Sequence, residues 1–260
     1  MHHPTHSLIV LARFPRPGQV KTRLAAALGS PHALGLYTSF LRDILTRYAA
    51  TKIPVRLYGT PPADHDSFRA WLDGCGLADI TLHDQSEGDL GERMSHALQD
   101  TFSAGFSKAV LTGSDLPDLP VDFLLDGLRS LTSNHGCLGP SMDGGYYAIG
   151  FRSNGFTDAV FRSMKWSTES VFAQTLFRFG AASLTVHSMP EWSDVDTLDD
   201  LRHWLVRQRD NSCTLRYIAE HDDLKNLLLK DLPDDRTHPH LSDLLRLGSG
   251  PGPDRISGGR

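Results

Sequence analysis

The sequence predicts an α/β domain: a mostly parallel sheet flanked by helices, with a C-terminal extension. Three observations support this. Short apolar runs alternate with segments of helical periodicity as far as about residue 208. The runs at Ser7–Ala12 and Ala109–Thr112 are continuously apolar, the pattern of strands buried on both faces. Hydrophobic residues make up 40% of the 260, enough for a substantial core, which excludes global disorder.

Taken in order, Ser7–Ala12 is a strand that ends in a Pro/Gly loop. Thr22–Gly29 reads as a helix with Gly29 as its stop. His32–Ala50 is a second helix, with Leu36, Phe40, Ile44 and Leu45 on one face and Leu41 and Tyr48 flanking it. Val55–Tyr58 and Ile80–His83 are strands on either side of a helix at Asp64–Asp73. Leu90–Ala104 is helical, with Met94, Leu98 and Phe102 four apart. After the strand Ala109–Thr112 comes a helix at Asp122–Leu131. Two strand-like pieces, Cys137–Ser141 and Tyr146–Phe151, then meet at a D-G-G turn, as in a hairpin or a sharp turn at the sheet edge. Ser170–Phe179 is a helix, Ser183–His187 a strand and Leu198–Arg207 a helix. This gives one domain over residues 7–209. Residues 210–247 form a helical extension, with one helix at Leu215–Leu229 and a short one at Leu241–Leu247. The Gly/Pro-rich 248–260 is expected to be a disordered tail.

The charge sum, 26 − 31 = −5, argues against a nucleic-acid coat. Three widely spaced cysteines, Cys75, Cys137 and Cys213, contain no C-x-x-C pair and fit a reducing, cytoplasmic setting. The apolar stretch at Leu8–Ala12 is too short for a membrane span or a signal core. His2, His3 and His6 read as part of a frayed start rather than a metal site. Ser114 and Ser141 lack the G-x-S-x-G frame of a hydrolase, and the 13 histidines include no H-E-x-x-H. Trp166 and Trp192 read as core or pocket walls.

Five segments carry candidate chemistry. In Arg13-Phe-Pro-Arg-Pro-Gly-Gln-Val-Lys-Thr-Arg23 the basic residues are Arg13, Arg16, Lys21 and Arg23, and there is no acid. Such a loop, after a buried strand and before a helix, suits an anion: Gly18 permits close backbone approach, and the amides of the helix start favour phosphate. Gly113-Ser-Asp115 follows another buried strand, where a lone carboxylate facing a polyphosphate is a usual Mg²⁺ ligand. An Asx turn explains Asp115 equally well, and Asp118 lies in the Pro-rich lead to the next helix. Asp143-Gly-Gly is either a plain turn or a carboxylate for base duty. In Asp194-Val-Asp196-Thr197 the two acids share one side of an extended segment, and Asp196 or Thr197 caps the following helix. In Gln85-Ser-Glu-Gly-Asp-Leu-Gly91, residues Gly88, Leu90 and Gly91 would let backbone approach a base or ribose.

The ordered set L-A-R-F-P-R-P-G-Q-V-K-T-R-L, G-D-L-G-E-R-M, G-S-D-L-P, L-G-P-S-M-D-G-G-Y-Y-A-I-G, W-S-T and D-V-D-T-L-D-D-L resembles a bacterial family of unknown function, the glycosyltransferase-A-like transferases. The resemblance runs from about Ser7 to Trp204. It implies a Rossmann-like nucleotide-diphospho-sugar transferase (GT-A) fold, similar to the molybdenum-cofactor and phospholactate guanylyltransferases. It further implies that Lys21 and Arg23 bind phosphates, that Asp115 holds the metal and that Asp196 completes the metal site; Asp194 is the reserve ligand if the extended segment faces the other way. Two features depart from the pattern. Gly113-Ser-Asp115 supplies one acid where glycosyltransferases have a D-x-D pair, and Ala12-Arg13 stands where nucleotidyltransferases carry adjacent glycines.

The expected activity is Mg²⁺- or Mn²⁺-dependent transfer from a nucleotide-activated donor, a nucleotide-diphospho-sugar, to a small-molecule acceptor. Lys21, Asp115 and Asp143 would be catalytic, and Asp115 and Asp196 would converge on one divalent cation. The alternatives are nucleotidyl transfer with release of pyrophosphate, and a non-catalytic nucleotide-binding or scaffold role. No nucleic-acid or membrane partner is expected, and the sequence leaves the oligomeric state open.

Overall fold

The computed structural model describes residues 5–208 and 211–230. The expected Leu241–Leu247 helix and the 248–260 tail lie outside the described residues. Within them, seven strands form one sheet. They are β1 (His6–Arg13), β2 (Val55–Thr60), β3 (Thr81–Asp84), β4 (Lys108–Thr112), β5 (Gly136–Pro140), β6 (Tyr146–Arg152) and β7 (Val186–Ser188). Their spatial order is β3-β2-β1-β4-β6-β5-β7. Every neighbouring pair is parallel except those made by β6, which runs antiparallel to both β4 and β5. The hairpin expected at D-G-G is therefore present, in the interior of the sheet rather than at its edge.

The helices are α1 (Thr22–Leu28), α2 (Ser30–Ala50), α3 (His65–Gly74), α4 (Leu90–Ser103), α5 (Val121–Ser130), α6 (Val171–Ala181), α7 (Leu198–Arg207), α8 (Cys213–Ala219) and α9 (Asp222–Leu229). The continuous apolar run of β1 is used on both faces, as its composition predicts. Leu8, Val10 and Ala12 join one core with Leu41, Ile44 and Leu45 of α2, Phe68 of α3 and Leu124 of α5. Ile9 and Leu11 join another with Met94 and Leu98 of α4 and Phe179 of α6. Strand alternation divides one apolar segment between two layers of helix.

The described residues fall into two compact units. Those within Met1–Arg16 and Phe40–Val195 make the first, which holds the whole sheet. Those within Pro17–Ser39 and Asp196–Arg260 make the second, which holds α1, the start of α2, α7, α8 and α9.

Two elements differ from expectation. The single helix expected at Leu215–Leu229 is two helices, α8 and α9, separated by Glu220 and His221. His221 has extended backbone, its Nδ1 lies 2.8 Å from the Tyr217 carbonyl, and Asp222 and Asp223 open the first turn of α9. Tyr217 also packs so close to Gly35 that a Cβ there would lie 2.1 Å from its ring, and His32 Nε2 meets Asp223 at 2.8 Å. These contacts fix the break in a segment whose composition suits one continuous helix. Strand β7 begins at Val186, because Ser183 takes a left-handed turn (φ 56°) after α6.

Candidate active site

In the first unit, the carboxyl ends of β1, β2, β3 and β4 and the β5–β6 turn lie along one edge of the sheet. Arg13, Gln85, Asp115 and Asp143 therefore sit at that edge, where open α/β sheets bind ligands. The Gln85 amide donates to the carbonyls of Ala12 (3.0 Å) and Tyr58 (2.8 Å), so the loop after β3 is pinned over the ends of β1 and β2. The carbonyl of Asp115 accepts the Val195 amide at 2.9 Å, which ties the end of β4 to the acidic segment before α7. Asp118, beside it, accepts the Trp192 indole at 3.4 Å, a contact that its place in the Pro-rich lead did not suggest.

Asp143 is exposed, and its Oδ1 accepts the Gly145 amide at 2.9 Å. The turn accounts for that oxygen. Gly144 (φ 83°) is required there twice over, because a Cβ would lie 2.2 Å from the Glu169 carbonyl oxygen. Glu169, the residue after W-S-T, thus rests directly on the D-G-G turn.

The Gly88–Gly91 segment also has structural duties. Asp89 caps α4 in a reciprocal capping box with Glu92. Gly91 is buried, and a Cβ would lie 2.7 Å from the Trp166 ring, so its small size serves helix–loop packing. Leu90 is nearly half exposed beside it. Gly18 has φ 71° and open space around it, so the turn requires glycine and close packing does not.

In the second unit, two motifs singled out separately in the sequence meet. Lys21 Nζ donates to Asp196 Oδ1 at 2.7 Å, and Arg23 reaches Asp196 Oδ2 at 3.8 Å. The Lys21 side chain is 3% exposed and that of Asp196 is 37% exposed. Lys21 holds left-handed backbone (φ 47°, ψ 47°) just before α1, an uncommon conformation for a residue with a side chain. Thr197, rather than Asp196, caps α7, in a capping box with Asp200. The carboxylate of Asp196 is thereby left to the two cations.

Cys137 is fully buried, and burial pushes its thiol up to about 12, so it is no nucleophile at neutral pH. Among the described residues, no three His, Cys, Asp or Glu side chains cluster as a metal cage, and no helix is long and apolar enough to cross a membrane. A cleft lined by His6, Lys108 and Arg129 lies at the opposite, amino end of the strands.

Known proteins share the fold of this chain. A "putative nucleotide-diphospho-sugar transferase" from Desulfovibrio desulfuricans G20 is 35% identical, with a TM-score of 0.79, over 87% of this chain and 99% of that one. The family described as "Uncharacterized protein conserved in bacteria (DUF2064)" matches residues 44–168. The chain belongs to this DUF2064 family. The chain's fold also recurs in 4-diphosphocytidyl-2C-methyl-D-erythritol synthase from Anaerococcus prevotii DSM 20548. That structure is 13% identical, with a TM-score of 0.50, over 75% of this chain and 94% of that one. A cytidylyltransferase from Leptospira borgpetersenii serovar Hardjo-bovis has the same identity and TM-score, over 92% and 97% of the two chains. At that identity the likeness is one of fold. No curated protein matches. In this DUF2064 member the motifs G-D-L-G-E-R-M, G-S-D-L-P, M-D-G-G-Y-Y and W-S-T fall within the family match, whereas the basic loop and D-V-D-T lie outside it.

Proposed function

We propose that the chain is a transferase acting on a nucleotide-activated donor, with glycosyl transfer from a nucleotide-diphospho-sugar as its reaction. The observation that carries this reading is the Lys21–Asp196–Arg23 cluster. The ammonium of Lys21 is nearly buried, held in uncommon backbone and paired with a carboxylate. That carboxylate is one the sequence resemblance assigns to metal binding. An arriving diphosphate would take the cations, and Asp196 would then be available to a divalent ion.

In the reaction, the bond from the sugar's anomeric carbon to the donor's terminal phosphate oxygen breaks. A bond from that carbon to the acceptor oxygen forms, and the acceptor proton passes to Asp143. Lys21 and Arg23 stabilise the charge that grows on the departing diphosphate. In this reading Arg13 and the backbone around Gly18 also bind phosphate, and Gly88, Leu90 and Gly91 bind the nucleoside. Asp115 and Asp196 are the hard-oxygen ligands for Mg²⁺ or Mn²⁺. One or two carboxylates suit Mg²⁺, which takes its other ligands from water and phosphate. When bound, such an ion supplies Lewis-acid stabilisation of the leaving group.

Nucleotidyl transfer is the second reading. The single acid of Gly113-Ser-Asp115, in place of D-x-D, favours it. In that reaction the acceptor's phosphate oxygen attacks the α-phosphate of an NTP and pyrophosphate leaves. The products separate the two: a nucleoside diphosphate from a sugar nucleotide, or pyrophosphate from an NTP.

The test is thermal stabilisation by nucleoside diphosphates and sugar nucleotides with and without Mg²⁺. A ligand at one hundred times its Kd adds roughly 2.7 kcal/mol. Asp115→Asn is expected to abolish most of the Mg²⁺-dependent gain and leave the melting temperature of the ligand-free protein within about 2 °C. No stabilisation by any nucleotide would favour the scaffold role instead.

A further inference from the structure

Arg16 is the basic residue of the first loop that the site above leaves unused. Its guanidinium pairs with Asp64, in the turn that follows β2. The Asp64 side chain is 1% exposed, and its second oxygen, Oδ2, is buried with no hydrogen-bond partner among the described residues. The rest of this half of the loop is also fixed. The Phe14 amide donates to the Thr60 carbonyl at 2.8 Å, and the Phe14 ring meets Phe68 edge-on at 5.4 Å.

A carboxylate taken out of water with one oxygen unsatisfied is a poor way to add stability. Its useful effect is geometric. An arginine on an open loop samples many rotamers, whereas one gripped by a buried acid presents the rest of its planar fork in one direction. Here 47% of the Arg16 side chain stays exposed, at the edge of the sheet where Arg13 ends β1. Five N–H donors leave capacity for an anion after Asp64 is served.

We propose that Arg16 is a further contact for the donor's phosphates and that Asp64 is its positioning residue. This rests on the reading that the basic loop binds a diphosphate. Asp64 touches no ligand and acts only through Arg16.

The experiment is calorimetric titration of the full chain with pyrophosphate. Arg16→Ala is expected to weaken binding about tenfold or more, and Asp64→Asn by a similar factor. In the double variant Asp64→Asn should add nothing to Arg16→Ala, because its effect passes through the missing guanidinium. Wild-type affinity in Asp64→Asn, or additive losses in the double variant, would overturn the proposal. If Asp64→Asn does not fold, Arg16→Lys decides. Lysine keeps the charge but cannot serve the buried acid and a phosphate with one fork, so it should lose most of the affinity, and wild-type binding would refute the idea. If the wild-type protein binds neither pyrophosphate nor any nucleoside diphosphate, the diphosphate reading itself fails. If it binds and the variants bind as well as wild type, the assignment of Arg16 and Asp64 fails alone.

Discussion

Asp100 and Asp196 are both carboxylates held by an arginine and a second donor, but their surroundings differ. Asp100 Oδ2 accepts from the Tyr58 hydroxyl at 2.6 Å and from Arg56 Nη2 at 2.7 Å. Arg56 and Tyr58 are buried, on the same face of β2, and His83 of β3 stacks on Tyr58 at 4.9 Å. The Tyr58 hydrogen bond and Arg56 hold the Asp100 carboxyl below its ordinary range. Burial and the same hydrogen bond hold the Tyr58 phenol up. Each group here has its partners within one layer of sheet and helix. Asp196, by contrast, sits at a helix entrance. Of its partners, Lys21 stands in uncommon backbone just before α1, and Arg23, within α1, is largely exposed and 3.8 Å away. The same residue types make a structural strut where they are mutually saturated within packed elements. In the proposed function they make a ligand site where their pairing can be exchanged for an anion.

The largest expected effect breaks the strut. Asp100→Ala leaves the buried Arg56 without its counter-ion and the Tyr58 hydroxyl without its acceptor. Because Asp100 itself is partly exposed, the cost should fall below that of a fully buried pair, about 2–3 kcal/mol. The melting temperature should drop by roughly 5–10 °C while nucleotide affinity stays unchanged, as scanning calorimetry and titration would show. A stable Asp100→Ala protein with poor nucleotide binding would reverse the comparison.

Lys21→Ala tests the other side. Loss of a charged contact to phosphate is worth about 1.5–3 kcal/mol, so nucleotide affinity should fall about tenfold or more. Stability should change little, because Asp196 keeps Arg23 and access to water. Equal affinity in wild type and variant would move the phosphate site away from Lys21.

The smallest effect concerns pH. Burial and the Arg56 charge lower the pKa of His83 below its ordinary 6.5, and they outweigh the Asp100 carboxylate 3.8 Å away. The ring is therefore neutral in the strut despite that carboxylate. The unfolded chain takes up the proton near pH 6.5 and the folded chain only at lower pH. Stability from the neutral ring is thus complete above about pH 6.5 and is lost as pH falls through the lowered value. His83→Phe keeps the stacking and should flatten this part of the stability profile in denaturant titrations between pH 5 and 7. An unchanged slope would show that His83 is not the titrating group.

Much of the fold was legible in the sequence. Continuous apolar runs marked β1 and β4, and four-residue spacing marked α2 and α4, with ends displaced by only a few residues. The broken helix was not legible from apolar spacing, since Ile218, Leu224, Leu227 and Leu228 suit one amphipathic segment. Its available signal was the acidic pair Asp222–Asp223, which favours a helix start. Of the candidate site, the motif residues were legible, but the duties of several were not. Gly91 reads as an approach to ligand and serves Trp166 packing, and Asp143 reads as a base and also forms the turn. Asp64 gave no signal beyond its place at a helix start.

The sequence by itself determined which segments are strand and helix, the buried faces of β1, and the concentration of basic residues after it. Those properties follow from short-range periodicity and composition, which local sterics and burial impose residue by residue. Only the tertiary structure decided that Lys21 pairs with Asp196, 175 residues away, and that Arg16 pairs with Asp64, 48 residues away. It also decided that β6 enters the sheet antiparallel between β4 and β5. Pairings over such separations depend on the order in which strands and helices are layered, and no local pattern encodes that order.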